Sequence, residues 1–236
     1  MPLTISMEKF NMRIIKFTAL CALMAAGVAH ADTADVTVKG VITPPACQAS
    51  FTGGADLDWG KIPHANLNPT DFTQLDPKPV TLSMQCADGL KTHVAFWAQD
   101  PNKDSALAAK RIGTLPNGEE QARVFGIGND PVNHNKIGNF TMITKSSSYD
   151  ATENKTNFGY SAGHSETTTA FSAVPFGYGY NQNEQYTVLD AALKPASANA
   201  FTFSFDVVPQ INHGNLITNT QEVPFNGKAQ FFVRYF

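Results

Sequence analysis

The segment Gly159-Tyr160-Ser161-Ala162-Gly163 has the G-x-S-x-G pattern of a serine nucleophile, and His164 follows it directly. In α/β-hydrolases this pattern places the serine on a sharp turn between a strand and a helix, where a histidine activates it. Residues 165–169 are instead typical of a loop or a strand, and no alternation of strands and helices surrounds them. The sequence therefore disfavours an esterase, which would require Ser161 to react with a fluorophosphonate probe.

The other residue types that could bind a metal or a phosphate are scattered. Outside the first 31 residues no two histidines have the spacing of metal ligands; these histidines are His64, His93, His134, His164 and His213. No glycine-rich segment has the surroundings of a phosphate-binding loop. We therefore expect no metal, no cofactor and no enzymatic activity.

The N-terminus predicts export from the cytoplasm. Arg13 and Lys16 precede the uncharged residues 17–29, and Ala29-His30-Ala31 has the small-x-small pattern of a cleavage site. This is the layout of a secretory signal peptide, and the apolar run is shorter than the roughly 20 residues of a membrane-spanning helix. We predict a signal peptide over residues 1–31, with residues 1–11 upstream of the true start if translation begins at Met12. The alternative is a buried helix.

The cysteine count is consistent with an exported protein. The chain has three cysteines, and cleavage after residue 31 removes Cys21, which leaves Cys47 and Cys86. Two cysteines in an exported chain favour a disulfide, which would contribute about 4 kcal/mol in the chain-entropy model. The alternative, two free thiols that bind a metal, would need partners such as a CxxC pair, and none is present.

The charge of the chain argues against two classes of partner. The formal net charge is −3, and cleavage removes three basic residues and one acidic residue, so the mature chain is more acidic still. It contains no cluster of lysines and arginines. Neither nucleic acid nor an anionic membrane surface is therefore an expected partner.

Most of the mature chain has the pattern of short strands separated by turn residues. Runs with strand-like alternation or β-rich composition occupy residues 36–42, 81–86, 93–98, 123–127, 140–144, 186–189, 201–208 and 228–236. Asp88-Gly89 predicts a hairpin turn between two of them. Residues 100–180 are rich in Asn, Gly, Ser and Thr and predict long loops with weak strands inside one domain. The pattern favours an all-β sandwich or barrel.

The C-terminal segment has a fully apolar face. Gly227, Ala229, Phe231, Val233 and Tyr235 alternate with more polar residues, up to the terminal Phe236. Chain ends usually fray, so an apolar end must pack or pair with something. It is either an ordinary last strand of a complete sandwich or one wall of a groove that another strand enters.

The first mature segment is also alternating. Val36, Val38, Gly40 and Ile42 fall on one face of a strand, opposite polar residues. This strand either begins the sandwich or fills an apolar groove of another molecule by strand addition.

These segments together resemble a known family. Residues 35–47 are similar to the start of fimbrial subunits (pilins) of the chaperone–usher pathway, in which an alternating extension with a glycine leads to the first disulfide cysteine. Residues 57–62 resemble the short glycine-containing strand that follows it, Cys86 lies where the second cysteine falls, and Tyr235 matches the penultimate tyrosine. The match covers residues 32–98 and 200–236, and the long middle suggests a divergent branch.

The resemblance implies a fold and a mechanism. The fold would be an immunoglobulin-like sandwich that lacks its last strand (the pilin fold), in residues 44–236. Residues 32–43 would be a donor strand, with Val36, Val38, Gly40 and Ile42 in the groove of the next subunit. Residues 227–236 would be a groove wall that binds a chaperone, with Gly227, Ala229, Phe231, Val233, Tyr235 and Phe236 as its contact residues.

The resemblance also implies partners and a location. A periplasmic pilus chaperone, an outer-membrane usher and neighbouring pilin subunits would bind the chain on its way to a fimbria on the cell surface, where a host or surface receptor is a further expected partner. The alternative function is a secreted β-sandwich adhesin that binds carbohydrate, with a platform among the aromatic residues Trp59, Trp97, Phe176, Tyr178 and Tyr180.

Overall fold

A computed structural model describes Lys39 and residues 47–87, 89–108, 121–154, 157–218 and 221–236. The chain divides into two units, Met1–Ile42 and Thr43–Phe236, and all the strands described below belong to the second. The predicted signal peptide and the predicted donor residues Val36, Val38, Gly40 and Ile42 lie outside the described residues. In the described part of the chain no helix is long and apolar enough to cross a membrane.

The described residues form strands joined by turns. The strands in chain order are β1 (Cys47–Thr52), β2 (Thr73–Gln74), β3 (Lys78–Cys86), β4 (Val94–Gln99), β5 (Phe125–Gly126), β6 (Gly138–Tyr149), β7 (Thr152–Asn154), β8 (Asn157–Ala162), β9 (Ser172–Pro175), β10 (Glu184–Thr187), β11 (Ala200–Ile211) and β12 (Gln230–Tyr235). Single turns of 3-10 helix occur at His64–Asn66, Lys103–Ser105, Gln121–Arg123 and Gly214–Leu216.

The strands form two antiparallel sheets. The first has the order β1-β3-β11-β6-β5, with β2 on β11 and β7 on β6, and the second has the order β12-β4-β10-β8-β9. Inner faces alternate with outer faces along each strand, so that β3 buries Val80, Leu82 and Met84 against the second sheet. The prediction of an all-β sandwich is confirmed.

Aromatic rings fill the space between the sheets. Phe203 of β11 is fully buried, and its ring meets that of Phe96 of β4 edge to face, with centroids 4.9 Å apart. Tyr180 and Tyr186 lie beside them, and burial raises the pKa of both phenols well above the ordinary value. Large rings in T-shaped contact bury much apolar area, which stabilises the packing of one sheet on the other.

The connection after β3 differs from the prediction. Asp88 itself lies outside the described residues, but β3 belongs to the first sheet and β4 to the second. The prediction of a hairpin at Asp88-Gly89 is therefore wrong, because the chain crosses between the sheets at this point instead of returning beside β3.

The middle of the chain contains more regular structure than its composition predicts. β6 is 12 residues long and lies between β11 and β5, inside the first sheet. Two of its buried threonines have hydrogen-bond partners: Thr141 Oγ1 donates to the Arg123 carbonyl at 2.8 Å, and Thr144 Oγ1 donates to the Tyr178 carbonyl at 3.2 Å. Such bonds allow a polar strand to occupy a central position, because a buried hydroxyl costs little once it is paired.

Candidate functional site

Cys47 and Cys86 form a disulfide, which confirms the predicted pairing. Cys47 begins β1, and Cys86 ends β3 directly opposite it. The bond joins residues 39 positions apart. It therefore fixes the start of the first strand, where the chain enters the sandwich, to the body of the first sheet.

The first and last strands of the sandwich each have one free edge within the described part of the chain. β1 pairs with β3 alone and β12 pairs with β4 alone, in different sheets. The two edges face each other, because Tyr235 Oη of β12 donates to the carbonyl of Cys47 at 2.9 Å. The rings of Phe51 and Phe231 also meet across the gap, with centroids 5.1 Å apart.

We call the space between these edges the groove. Its walls are the inward-facing residues of the two strands, namely Cys47, Ala49 and Phe51 of β1 and Phe231, Val233 and Tyr235 of β12. The Tyr235–Cys47 hydrogen bond and the Phe51–Phe231 contact bridge it at its two ends.

The groove is incompletely covered. Ala49 lies opposite Met84 in the β1–β3 ladder, so both side chains face inward; Met84 is 1% exposed, whereas Ala49 is exposed. Phe231 and Val233 are only half-buried, although their neighbours Ala98 and Phe96 on β4 are fully buried. The apolar face of the sandwich is thus open along the line between β1 and β12.

Backbone groups also point into the groove from β12. His93 and Phe236 exchange two backbone hydrogen bonds, each 3.1 Å long. Because bonded and non-bonded pairs alternate along an antiparallel ladder, the N–H and C=O groups of Phe231, Val233 and Tyr235 are directed away from β4. They face the free edge, and a strand placed there would satisfy them.

The same alternation applies to β1. The Cys86 N–H donates to the carbonyl of Asn199 at 2.8 Å, on the side of β3 away from β1. The backbone groups of Cys47, Ala49 and Phe51 therefore point away from β3 and into the groove. Both walls thus combine an apolar face with a row of outward-directed donors and acceptors, which is the chemistry that binds an extended peptide by strand addition.

The remaining predicted C-terminal residues lie elsewhere. Gly227 precedes β12 and packs against the first sheet, where a Cβ would come within 2.7 Å of the Phe140 ring and 2.9 Å of Ile127. Ala229 is half-buried just before β12. Phe236 turns to the outer face and stacks on His93, with centroids 5.3 Å apart. The groove therefore contains three of the six predicted contact residues.

The outer face of β12 contacts a segment that we call the strap, residues 163–171 between β8 and β9. Arg234 is 9% exposed, and its guanidinium donates to the carbonyl of Glu166 at 3.0 Å and to that of Thr168. Its Nε donates to Gln185 Oε1 of β10 at 3.2 Å. Burial lowers the pKa of Arg234, and the charge of Glu166 opposes this shift. The last strand is thus tied to both a loop and the sheet.

The loss of this tie is expected to loosen β12. In Arg234→Met the two strap carbonyls lose their donors, and we expect the free energy of unfolding to fall by about 2 kcal/mol, as for hydrogen bonds to a charged group. Urea unfolding of the two proteins measures the difference. Arg234→Lys is the matched control: it keeps the charge but not the planar fork, so it should recover only part of the loss. Equal stability of Arg234→Met and the parent would contradict this role.

The aromatic residues considered for a sugar platform are engaged in packing. Trp97 stacks on Phe232 and on His164 of the strap, with centroids 5.5 and 5.3 Å away. Tyr180 is fully buried, and Trp59 donates its Nε1–H to the carbonyl of Asp76 at 2.9 Å. These contacts leave the rings less available than an open platform requires.

The serine motif lies in a strand. Gly159, Ser161 and Ala162 belong to β8, and the strap follows them instead of a helix. This differs from the strand–turn–helix context in which the motif activates a serine. Among the described residues no group of three or more His, Cys, Asp or Glu side chains could hold a metal ion.

Sequence reasoning overlooked β1 and Arg234. The sequence of β1 alternates apolar Cys47, Ala49 and Phe51 with polar residues, a signal that predicts a strand with one inward face. No comparable signal exists for Arg234, because its partners in the strap lie 66 and 68 positions earlier in the chain.

The described chain is thus an antiparallel β-sandwich with one disulfide and with free edges on its first and last strands. Residues 36–142 match the family described as "Protein of unknown function (DUF1120)". Protein GltF of Escherichia coli (strain K12) is 32% identical over 137 residues, which are 51% of this chain and 52% of that protein. The chain therefore spans about half the length of this curated relative.

Proposed function

We propose that the protein is a structural subunit of a surface fimbria and that it polymerises by donating a strand to a neighbouring copy. The observation that carries the proposal is the groove, in which half-buried apolar side chains and outward-directed backbone groups lie together on two free strand edges. An added strand would bury those side chains and pair those backbone groups. Strand addition in other systems uses this combination.

The proposed donor is the extension at residues 32–43. Its alternating residues Val36, Val38, Gly40 and Ile42 match the period of a strand whose inward face enters an apolar groove. Three residues separate the extension from Cys47, the first residue of the sandwich strands, and the extension belongs to the same chain as the groove. Every copy therefore has one strand to give and one groove to fill, which is what a linear polymer requires.

The open edge also supports the proposed partners. A free strand edge beside exposed apolar surface promotes aggregation, so a periplasmic chaperone would cover the groove after the signal peptide directs export. An outer-membrane usher would then exchange the chaperone for the extension of the next subunit and pass the fibre to the cell surface. The contact residues for the chaperone would be those of β12, together with Phe236.

Deletion of residues 32–39 tests the proposal. The mature chain should form polymers that resist dissociation in cold detergent, whereas the deletion variant should stay monomeric because it has a groove but no donor. A synthetic peptide of residues 32–43 should bind the variant and raise its thermal midpoint. Normal polymerisation of the deletion variant, or a peptide without effect on it, would exclude the mechanism.

A further inference from the structure

The exposed large apolar side chains of the sandwich lie at its two ends. We call the end of β1 at Cys47 the cysteine pole and the opposite end of the sheets the far pole. Among the described residues the large apolar side chains with the greatest exposure are Val132 at 58%, Leu193 at 49% and Leu216 at 43%. Isolated exposed apolar residues are ordinary, so their position along the molecule is the informative feature.

Val132 and Leu216 share the far pole. Val132 lies in the hairpin that connects β5 to β6, beyond the bridge between Asn129 and Lys136, and β6 runs from there towards the cysteine pole. Leu216 follows the end of β11. The two loops are joined, because Asn135 Nδ2 donates to the Leu216 carbonyl at 2.8 Å. The two side chains therefore lie on neighbouring loops of one surface.

Leu193 lies at the cysteine pole. β10 runs antiparallel to β4 and ends at Thr187, at the same end of the sheet as the start of β4. The chain continues as a hairpin closed by the bridge between Leu189 and Pro195 and by the hydrogen bond of 2.8 Å from the Asp190 N–H to the Lys194 carbonyl. Leu193 is at the tip of this hairpin.

Chain connectivity decides which poles meet in a polymer. Residues 44–46 alone separate the proposed donor strand, residues 32–43, from Cys47, and four extended peptide steps span about 14 Å. The domain that donates a strand must therefore sit against one end of its neighbour's groove, with its own cysteine pole nearest. If it sat at the neighbour's cysteine pole, it would occupy the place where the neighbour's extension leaves. A polymer of many subunits therefore requires that the donating subunit sit at the far pole of its neighbour.

We propose that the Leu193 hairpin of one subunit packs against Val132 and Leu216 of the next subunit. This would be a second contact between the two subunits, in addition to the donated strand. This inference rests on the proposed function. The contact joins two different surfaces of identical copies, so it can repeat head to tail from one subunit to the next. It would bury the three apolar side chains that the isolated domain leaves exposed.

Cysteine cross-linking within assembled polymers tests the contact. Mature Leu193→Cys is mixed with mature Val132→Cys, polymerised and treated with a short bismaleimide. Cys47 and Cys86 are disulfide-bonded, so the introduced thiols are the reactive ones. The matched control replaces Val132→Cys with Lys145→Cys, whose side chain is 55% exposed on β6, between the poles. Touching poles should give roughly tenfold more cross-linked dimer than the control, because contact holds the thiols at a millimolar effective concentration.

The outcomes separate this inference from the proposed function. Polymers in which the Leu193–Val132 yield equals the Leu193–Lys145 yield would overturn the pole contact and leave strand donation intact. Polymers in which Leu193→Cys on one copy reacts preferentially with Leu193→Cys on another would indicate that cysteine poles face each other, and would also overturn it. Failure of every mixture and of the parent chain to polymerise would reject both.

Discussion

Val233→Asp is expected to abolish strand uptake and to leave the sandwich folded. Val233 lies in the middle of the groove wall on β12, half-buried, with its backbone groups directed at the free edge. In the isolated subunit an aspartate there would keep access to water. An added strand would cover it, and an unpaired buried carboxylate costs several kcal/mol, so we expect peptide affinity to fall by on the order of a thousandfold.

The measurement is the dissociation constant of a labelled peptide of residues 32–43 for the chain that lacks residues 32–39, with and without Val233→Asp. Gln230→Asp is the matched control, because Gln230 is exposed on the same strand and its replacement introduces the same charge. It should bind the peptide as the parent does. A Val233→Asp variant that keeps the affinity of the parent would show that the peptide binds elsewhere.

The same variant tests the division between donor and acceptor. The mature chain with Val233→Asp can still donate its extension, but its groove can no longer accept a strand. The chain without residues 32–39 can still accept a strand in its groove, but it has no extension to donate. We expect each to be monomeric alone, and their mixture to give a dimer and no longer species. Ladders of higher oligomers from either variant alone would contradict this division.

Removal of the disulfide is expected to have the second large effect. The Cys47–Cys86 bond closes a loop of 39 sequence positions, and Cys47→Ser with Cys86→Ser should lower the free energy of unfolding by about 4 kcal/mol, since the unfolded chain gains the entropy of the open loop. For a domain of this size such a loss is a large fraction of total stability. Guanidinium unfolding of the double variant and the parent measures it.

The position of the bond predicts where the loss begins. Cys47 starts β1, and its carbonyl accepts the hydrogen bond from Tyr235. Amide exchange of residues 48–52 should therefore accelerate before that of the buried strand β11. Gln48→Ser, one residue along the same strand and exposed, is the control and should change neither stability nor exchange. An unchanged unfolding midpoint in the double variant would contradict the expectation.

Several features of the fold could be predicted because they depend on local alternation. β12 confirms the alternation at Phe231, Val233 and Tyr235, since a strand with one buried face must repeat every second residue. The Cys47–Cys86 bond followed from the number of cysteines that an exported chain would retain. These signals are contained within a few positions of the sequence, so no knowledge of distant neighbours was needed.

Other features depend on neighbours that are distant in sequence. The second half of β6 contains Ser146, Ser147 and Ser148 and reads as a loop, and it becomes favourable as a strand only when β11 on one side and β7 on the other complete its ladder. The strap is held by Arg234, which is far from it along the chain. Sequence patterns also did not reveal that β3 and β4 lie in different sheets, because a turn sequence does not specify which partner follows.

The arrangement around β12 restricts which sequences can occupy it. Phe231, Val233 and Tyr235 face the groove, while Phe232 and Arg234 hold Trp97 and the strap on the opposite side. An ordinary edge strand has one face on which substitutions drift freely. This strand has none between residues 231 and 235, so we expect evolutionary variation in relatives to concentrate in exposed loops outside the proposed contacts, and the last strand to change only through paired substitutions with its contacts on either side.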